Sequence, residues 1–411
     1  MRIRTFQGLS PAPEHAAAVA AVPYDVVNRD EAAALAEGNP HSLLHVDRAE
    51  IDLDPDIDPY SPEVYAQARA AFLRMQEQGV LRREAQPCMY LYRQTAGGHS
   101  QTGLVTVCHV DDYANDVIKK HEKTRPDKEK DRTTLVDTLG ANTGPIFLTY
   151  RDRASVAAIT RSEVEGAQPL YDVTAPDGVR HQVWRVSRAG SVSLGAIFAD
   201  EVDAAYVADG HHRAASAFNV ARLRREACPD ATGEENFNWF LCVLFPAGEL
   251  RVLPYNRVVK DLNCMDREQF LARAGEVFEM RPVDDKEPPA PGGCRMYLKG
   301  QWYALEWGAP ADASPIDQLD VSILQDRLLA PVLGIDDPRT SKRVDFIGGI
   351  RGTEELERLV DSRQFAVAFS MHPVTVEQLM AISDAGQIMP PKSTWFEPKL
   401  RSGFFIHTLD G

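Results

Sequence analysis

The chain has 411 residues, 44% apolar and 26% charged, an ordinary globular composition at a length that suggests two or three domains. Its 60 acidic side chains outnumber the 45 basic ones, for a net charge of −15. Such a chain matches a polyphosphate backbone poorly, so nucleic acid is disfavoured as a partner, whereas concentrated basic segments on an acidic background suit a small anion.

Taken in order, Val22–Val27 is a short apolar run broken by Pro23, and residues 30–36 form a helix that ends at Gly38-Asn39-Pro40. Residues 51–62, rich in Asp and Pro, are loop. Ser61 and Pro62 then open a helix that closes at Gly79. Strands near 88–93 and 102–110 flank Gly97-Gly98 as a hairpin. A charged stretch, 116–132, leads into a helix reaching Leu139, with Thr124 and Asp127 spaced as a capping box. Strands follow at 145–150, 181–186 and 204–208, then a helix at 210–226 and a strand at 239–245 apolar enough to be buried on both faces. A shorter strand covers 251–255. The Pro- and Gly-rich segment 286–293 is the sharpest break in composition, and it divides a region 1–285 from a region 286–411 whose last loop and strand return to the site. Beyond it come a hairpin at 295–306, a helix capped by Asp320, a strand at 365–369, a helix at 376–380 and a last strand at 402–407. This interleaving gives an α+β, or mixed α/β, fold class.

No stretch approaches the roughly 20 apolar residues of a membrane span. Met1–Phe6 carries basic residues with no apolar run behind them, so no signal peptide or membrane partner is expected and the reading is cytoplasmic. The six cysteines form no C-x-x-C pair, and each is read as a reduced, buried thiol.

Chemistry concentrates in three segments. In Val207-Ala208-Asp209-Gly210-His211-His212-Arg213, a buried strand runs through Asp209, read as the cap, and a glycine into an alanine-rich helix. Unpaired N–H groups and the positive end of the helix dipole make such a junction an anion site. Gly210 permits close approach, and His211, His212 and Arg213 add donors. A cap alone explains Asp209, but not four polar residues in a row. A metal at Asp209 and one histidine is an option for which spacing assigns no third ligand. In His121-Glu122-Lys123-Thr124-Arg125, Glu122 is a candidate general base, and His121, Lys123 and Arg125 are candidates to grip phosphoryl oxygens. In isolation the same segment reads as a solvated helix start. The third segment, Pro390-Pro391-Lys392-Ser393-Thr394 through Lys399, is a stiffened loop presenting Lys392, Ser393, Thr394 and Lys399. Tyr24 and Asp25 either point into a site or begin a turn. Walker, nucleophile-elbow and protein-kinase signatures are absent.

Pro23-Tyr24-Asp25-Val26, the 121–124 and 208–213 segments, Leu253-Pro254-Tyr255-Asn256-Arg257 and Met389-Pro390-Pro391-Lys392-Ser393-Thr394 through Lys399 occur in this order in the DUF1015 family. The chain resembles that family over nearly its whole length. Its members are described as ParB- or SpoOJ-like. The Asp-Gly-His-His-Arg segment resembles the phosphate-binding helix start of the ParB/sulfiredoxin superfamily, which includes CTP-dependent DNA clamps, sulfiredoxins and kinases of free L-serine. The resemblance implies a ParB/sulfiredoxin-like core with additional α+β elaboration. It also implies a nucleotide cofactor (a tri- or diphosphate, ATP favoured) with Mg²⁺. Asp209, Gly210, His211, His212 and Arg213 would hold the phosphates and the ion, with Asp209 as metal ligand and His121, Lys123, Thr124 and Arg125 assisting. Glu122 would be the base for the serine hydroxyl, with Asp25 as rival; Tyr24, Asp25, Lys392, Ser393, Thr394 and Lys399 would meet the hydroxy amino acid. The alternatives are a ParB-like nucleotide-binding regulator or DNA-associated protein, against which the net charge counts, and a nucleotide hydrolase using the same site. A homo-oligomer is left open.

Overall fold

The computed structural model describes residues 1–308 and 313–410. The chain forms two compact units, Met1–Leu250 with Pro398–Gly411, and Arg251–Glu397. The class is mixed α/β.

The first unit is built on a nine-stranded sheet. From one edge its strands run Ile118–Lys119, Ala205–Asp209, Ile146–Tyr150, Trp239–Pro246, His99–His109, Tyr90–Ala96, Arg180–Arg185 and Tyr171–Thr174, and Ile3–Arg4 adds to His99–His109. Gly97 (φ 54°) and Gly98 (φ 81°) turn the hairpin where expected, because a tight two-residue turn needs positive φ at both positions. Trp239–Pro246 pairs parallel to Ile146–Tyr150 and antiparallel to His99–His109. With both edges paired and both faces covered, Phe240 through Phe245 are at most 1% exposed.

Helix packing seals this core. Leu194 and Phe198 of the helix Arg188–Glu201 share one buried core with Val207 and Leu244 of the sheet and with Ala214, Ala217 and Ala221 of the helix His211–Ala227. The helix Pro62–Glu77, with Pro62 in its first turn, packs Val64, Phe72 and Met75 against Leu135 and Leu139 of the helix Pro126–Leu139. Gly140 ends the latter at φ 61°, the left-handed cap that glycine adopts without strain.

The expected strand at 402–407 is not continuous. Ser402 bridges to Ala21 and Ile406 to Leu9, and only His407–Thr408 forms a strand, against Ala141–Asn142. Its backbone bonds go to three different segments, so no single ladder forms.

The second unit holds a six-stranded antiparallel sheet, ordered Glu279–Val283, Gln301–Glu306, Gly293–Leu298, Val367–Met371, Tyr255–Val259 and Val344–Gly348. The 286–293 segment lies inside this unit and leads into Gly293–Leu298, while the units divide at 250/251 and 397/398. Asp320 does not cap its helix. It is the first residue of Asp320–Leu324, and its carboxylate accepts the Gly292 N–H (3.0 Å) and the Trp307 indole N–H (2.9 Å).

All six cysteines are free. Cys108, Cys242 and Cys294 are buried, but Cys228 and Cys264 are exposed, contrary to expectation, because one follows a helix end and the other sits in a turn at φ 63°. No helix among the described residues is long and apolar enough to cross a membrane.

Two buried histidines of the first unit generate a pH prediction. Burial pushes His407 down to about 4, against a hydrogen bond to the Asn236 carbonyl (2.9 Å). Burial, helped by Arg401, pushes His181 down to about 3 beside the Tyr92 hydroxyl (2.7 Å). Both values lie below the unfolded value of about 6.5, so the unfolded chain binds the extra protons. Their contribution is complete above about pH 6.5 and is lost as pH falls toward 4 and 3, at up to about 1.4 kcal/mol per pH unit for each. Urea midpoints measured from pH 7 to 4 are expected to fall, and His407→Gln is expected to flatten the decline. An unchanged slope in that variant contradicts the assignment.

Candidate functional site

Two residues of parallel ladder create the site. Ile118 lies opposite Ala205 and Lys119 opposite Tyr206. Chains leaving parallel strands emerge at the same end, so residues 120–125 and 209–213 converge there despite their separation in sequence. The register of Ala205–Asp209 against Ile146–Tyr150 slips between Val207 and Asp209, a bulge of the kind that re-aims side chains beside sites.

The glycine, not the aspartate, stands at the helix cap. Gly210 takes φ 93°, ψ 33° immediately before the helix His211–Ala227, and no side chain caps that helix. Asp209 Oδ1 instead accepts the Gly210 N–H at 2.9 Å, and its Oδ2 accepts from Lys399 Nζ at 3.0 Å. The first turn therefore offers N–H groups with no side-chain acceptor at the positive end of the dipole. Lys399 is steadied by buried Gln94, whose Nε2 donates to the Lys399 carbonyl at 2.8 Å.

Around this turn the expected residues gather. The His121 and His211 rings stand perpendicular with centroids 4.6 Å apart, and His211 Nδ1 lies 3.9 Å from Glu122 Oε2. The Glu122 side chain is 43% exposed. His212 Nε2 accepts the Arg125 backbone N–H at 3.1 Å, joining the two segments directly. Arg213 Nη1 donates to the Pro145 carbonyl at 2.6 Å. Thr124 forms no capping box, since Arg125 holds the cap position and the Thr124 hydroxyl donates to Glu129 Oε2 (2.6 Å). Lys123 and Arg125 are exposed.

Tyr24 is buried, with the Arg132 guanidinium 4.2 Å over its ring. Asp25 is exposed, and its charge favours the protonated forms of His212 and Arg213. A small cavity of about 30 Å³ lies here, lined by Tyr24, Asp47, Arg132, Thr143, Arg213 and Ser402. Sequence reasoning passed over Asp47, Arg132, Thr143 and Ser402, which belong to no motif.

Lys392, Ser393 and Thr394 belong to the second unit. There Lys392 takes φ 55° with Nζ 5.5 Å from the Tyr255 ring, and Ser393 Oγ donates to the Pro390 carbonyl (2.7 Å). Buried Arg257 donates to the carbonyls of Tyr255 and Lys392. Val252–Leu253 pairs with Trp395–Phe396, so the 253–257 and 389–396 motifs form one cluster within that unit.

Burial and charge act against each other in the first unit. Burial pushes the Asp209 carboxyl up, but Lys399 and Arg213 more than offset this and hold it well below the usual carboxylate range. Burial opposes the Arg213 charge, and Asp25 and Asp209 outweigh it, so the guanidinium is held more firmly protonated than usual. Burial lowers His211 to about 4, and burial together with His211 lowers His121 well below the ordinary value. Mg²⁺ prefers oxygen ligands in octahedral array. A cation on Asp209 Oδ2 would take the position of the Lys399 ammonium, so Asp209 fits the ion only if Lys399 turns to a phosphate.

The fold is mixed α/β, and its polar residues gather at an uncapped helix start beside Lys399 and Arg213. The family profile described as "Protein of unknown function (DUF1015)" matches residues 3–322, and the chain belongs to this family. No curated protein matches the sequence. Among solved structures, a free serine kinase in complex with AMP is 14% identical, covering 73% of this chain and 91% of its own, at a TM-score of 0.36. A conserved hypothetical protein from Pyrococcus furiosus gives 14%, 73%, 94% and 0.36. SbnI from Staphylococcus aureus, C-terminally truncated, gives 12%, 72%, 85% and 0.35. Likeness at this level carries no argument about substrate or mechanism.

Two stability predictions follow from the geometry. Gly210→Ala places a Cβ in the left-handed region, 3.1 Å from Arg213 Nε, and is expected to cost about 1–2 kcal/mol. Lys399→Met leaves Asp209 without its ammonium and is expected to cost about 1–3 kcal/mol, less than a fully buried pair because both side chains keep some exposure. Denaturant midpoints check both, and wild-type midpoints would contradict these local roles.

Proposed function

We propose that the protein is a small-molecule kinase that transfers a phosphoryl group from a nucleotide, ATP favoured over ADP, to the hydroxyl of free L-serine or a similar hydroxy compound. The observation that carries this reading is the uncapped N-terminus of the helix His211–Ala227, with Lys399 and Arg213 beside it and the partly exposed Glu122 carboxylate at the same edge.

Phosphoryl transfer needs positioning and charge neutralisation more than covalent help. The first-turn N–H groups receive phosphate oxygens, and Lys399, Arg213, Lys123 and Arg125 supply positive charge. The acceptor hydroxyl oxygen forms a bond to the terminal phosphorus, its proton passes to Glu122, and the bond to the bridging oxygen breaks with its electron pair leaving on the nucleotide. Asp25 is the rival for the proton, since it lies on the His212–Arg213 side. Mg²⁺ carried by the nucleotide would neutralise charge on the phosphate oxygens, with Asp209 as the carboxylate nearest the helix start. A donor nucleotide and a free amino acid fit a cytoplasmic enzyme.

Phosphorus NMR of the protein with Mg²⁺, ATP or ADP, and L-serine tests this directly. A phosphomonoester signal that requires serine is expected. Glu122→Gln should lower kcat by about 10²–10⁴ with little change in nucleotide KM, and Asp209→Ala should abolish turnover in a folded protein. Nucleotide breakdown indifferent to serine identifies a hydrolase instead, and wild-type rates in both variants overturn the site assignment.

A further inference from the structure

We propose that His121, Glu122 and His211 form a binding site for one first-row transition-metal dication, of the Zn²⁺, Fe²⁺ or Mn²⁺ class, distinct from the Mg²⁺ that accompanies a nucleotide. Each of the three residues offers one ligand atom, and these atoms lie within 4.8 Å of one another. Two imidazoles and one carboxylate that leave coordination positions open are a recurrent donor set for such metals, and imidazole nitrogen selects them over Mg²⁺.

A second, independent observation points to a ligand. His121 and His211 are 2% and 7% exposed, and each keeps a ring nitrogen without a hydrogen-bond partner, Nδ1 of His121 and Nε2 of His211. Leaving a buried polar atom unsatisfied costs about 1–3 kcal/mol, and two such atoms on perpendicular neighbouring rings are a costly arrangement unless something binds them.

The surrounding charges suit a cation in part. Asp209 favours positive charge at both histidines, while Lys120 and His212 oppose it at His211. Burial keeps the rings neutral, which is the ligating form. The partly exposed Glu122 gives the ion access from solvent.

This inference does not rest on phosphoryl transfer, and its test uses neither nucleotide nor serine. The full chain carrying Cys228→Ser and Cys264→Ser, so that its exposed thiols cannot bind metal, is stripped with a chelator and titrated with Co²⁺. One Co²⁺ per chain with visible d–d absorption is expected, displaced by Zn²⁺ but not by millimolar Mg²⁺. His121→Ala should weaken binding more than about 100-fold, the upper end of what losing an outer-shell partner costs. Because removing a buried ring risks the fold, Glu122→Gln is the second variant; it is expected to weaken binding at least about tenfold with an unchanged circular dichroism spectrum. Absence of stoichiometric Co²⁺, equal displacement by Mg²⁺, or unchanged affinity in Glu122→Gln overturns the proposal.

Discussion

The short parallel ladder between Ile118–Lys119 and Ala205–Tyr206 holds the polar site together. Parallel pairing sends both chains out at one edge, and without it His121 and Glu122 would have no reason to meet His211 and Arg213. Two residues form a weak ladder by themselves. It persists because Ala205–Asp209 is also tied to Ile146–Tyr150 and its core face is filled by Val207, Leu148 and the alanines of the following helix. Site geometry is thus inherited from the apolar core, with the bulge at Val207–Asp209 as the one local departure.

Two carboxylates near this edge show how partners decide charge in one interior. Asp209 and Asp47 are both penalised by burial. Asp209 faces the Lys399 ammonium and Arg213 and is held ionised. Asp47 has the Thr143 hydroxyl at 2.6 Å and the more diffuse charges of Arg132 and Arg213, and its value stays raised. A direct ammonium offsets desolvation where a hydroxyl and shared guanidinium charge do not.

What the sequence made legible was local. The glycine pair of the hairpin, Pro62 opening its helix, and the strand–glycine–helix order around Asp209 all act through neighbours a few residues apart, so their patterns predict them. Details set by distant partners were not legible. Whether Asp209 or Gly210 caps the helix depends on Lys399, 190 residues away. The Asp320 carboxylate is drawn off by Gly292 and Trp307, and the 402–407 segment is divided among three partners that no periodicity announces. The meeting of His121 with His211 follows from strand order. The helix Arg188–Glu201 escaped notice because Gly190 and Gly195 weaken its helical signal.

The histidines are the point at which motif and structure carry different chemical meanings. Read in sequence, His121, His211 and His212 look like positive charge waiting for phosphate. Folded, the first two are buried and held neutral, and burial lowers His212 as well. A neutral imidazole can donate one hydrogen bond or coordinate a metal, but it cannot neutralise a phosphate near pH 7. Under the proposed function, the charge that meets a phosphate would come from Lys399, from Arg213, which Asp25 and Asp209 hold protonated, and from exposed Lys123 and Arg125. Charge and coordination are thus divided between two sets of residues at one helix start. This division lets an anion on the helix dipole and a transition-metal dication between the imidazoles take neighbouring positions, with Glu122, read both as proton acceptor and as metal ligand, the one residue the two proposals share.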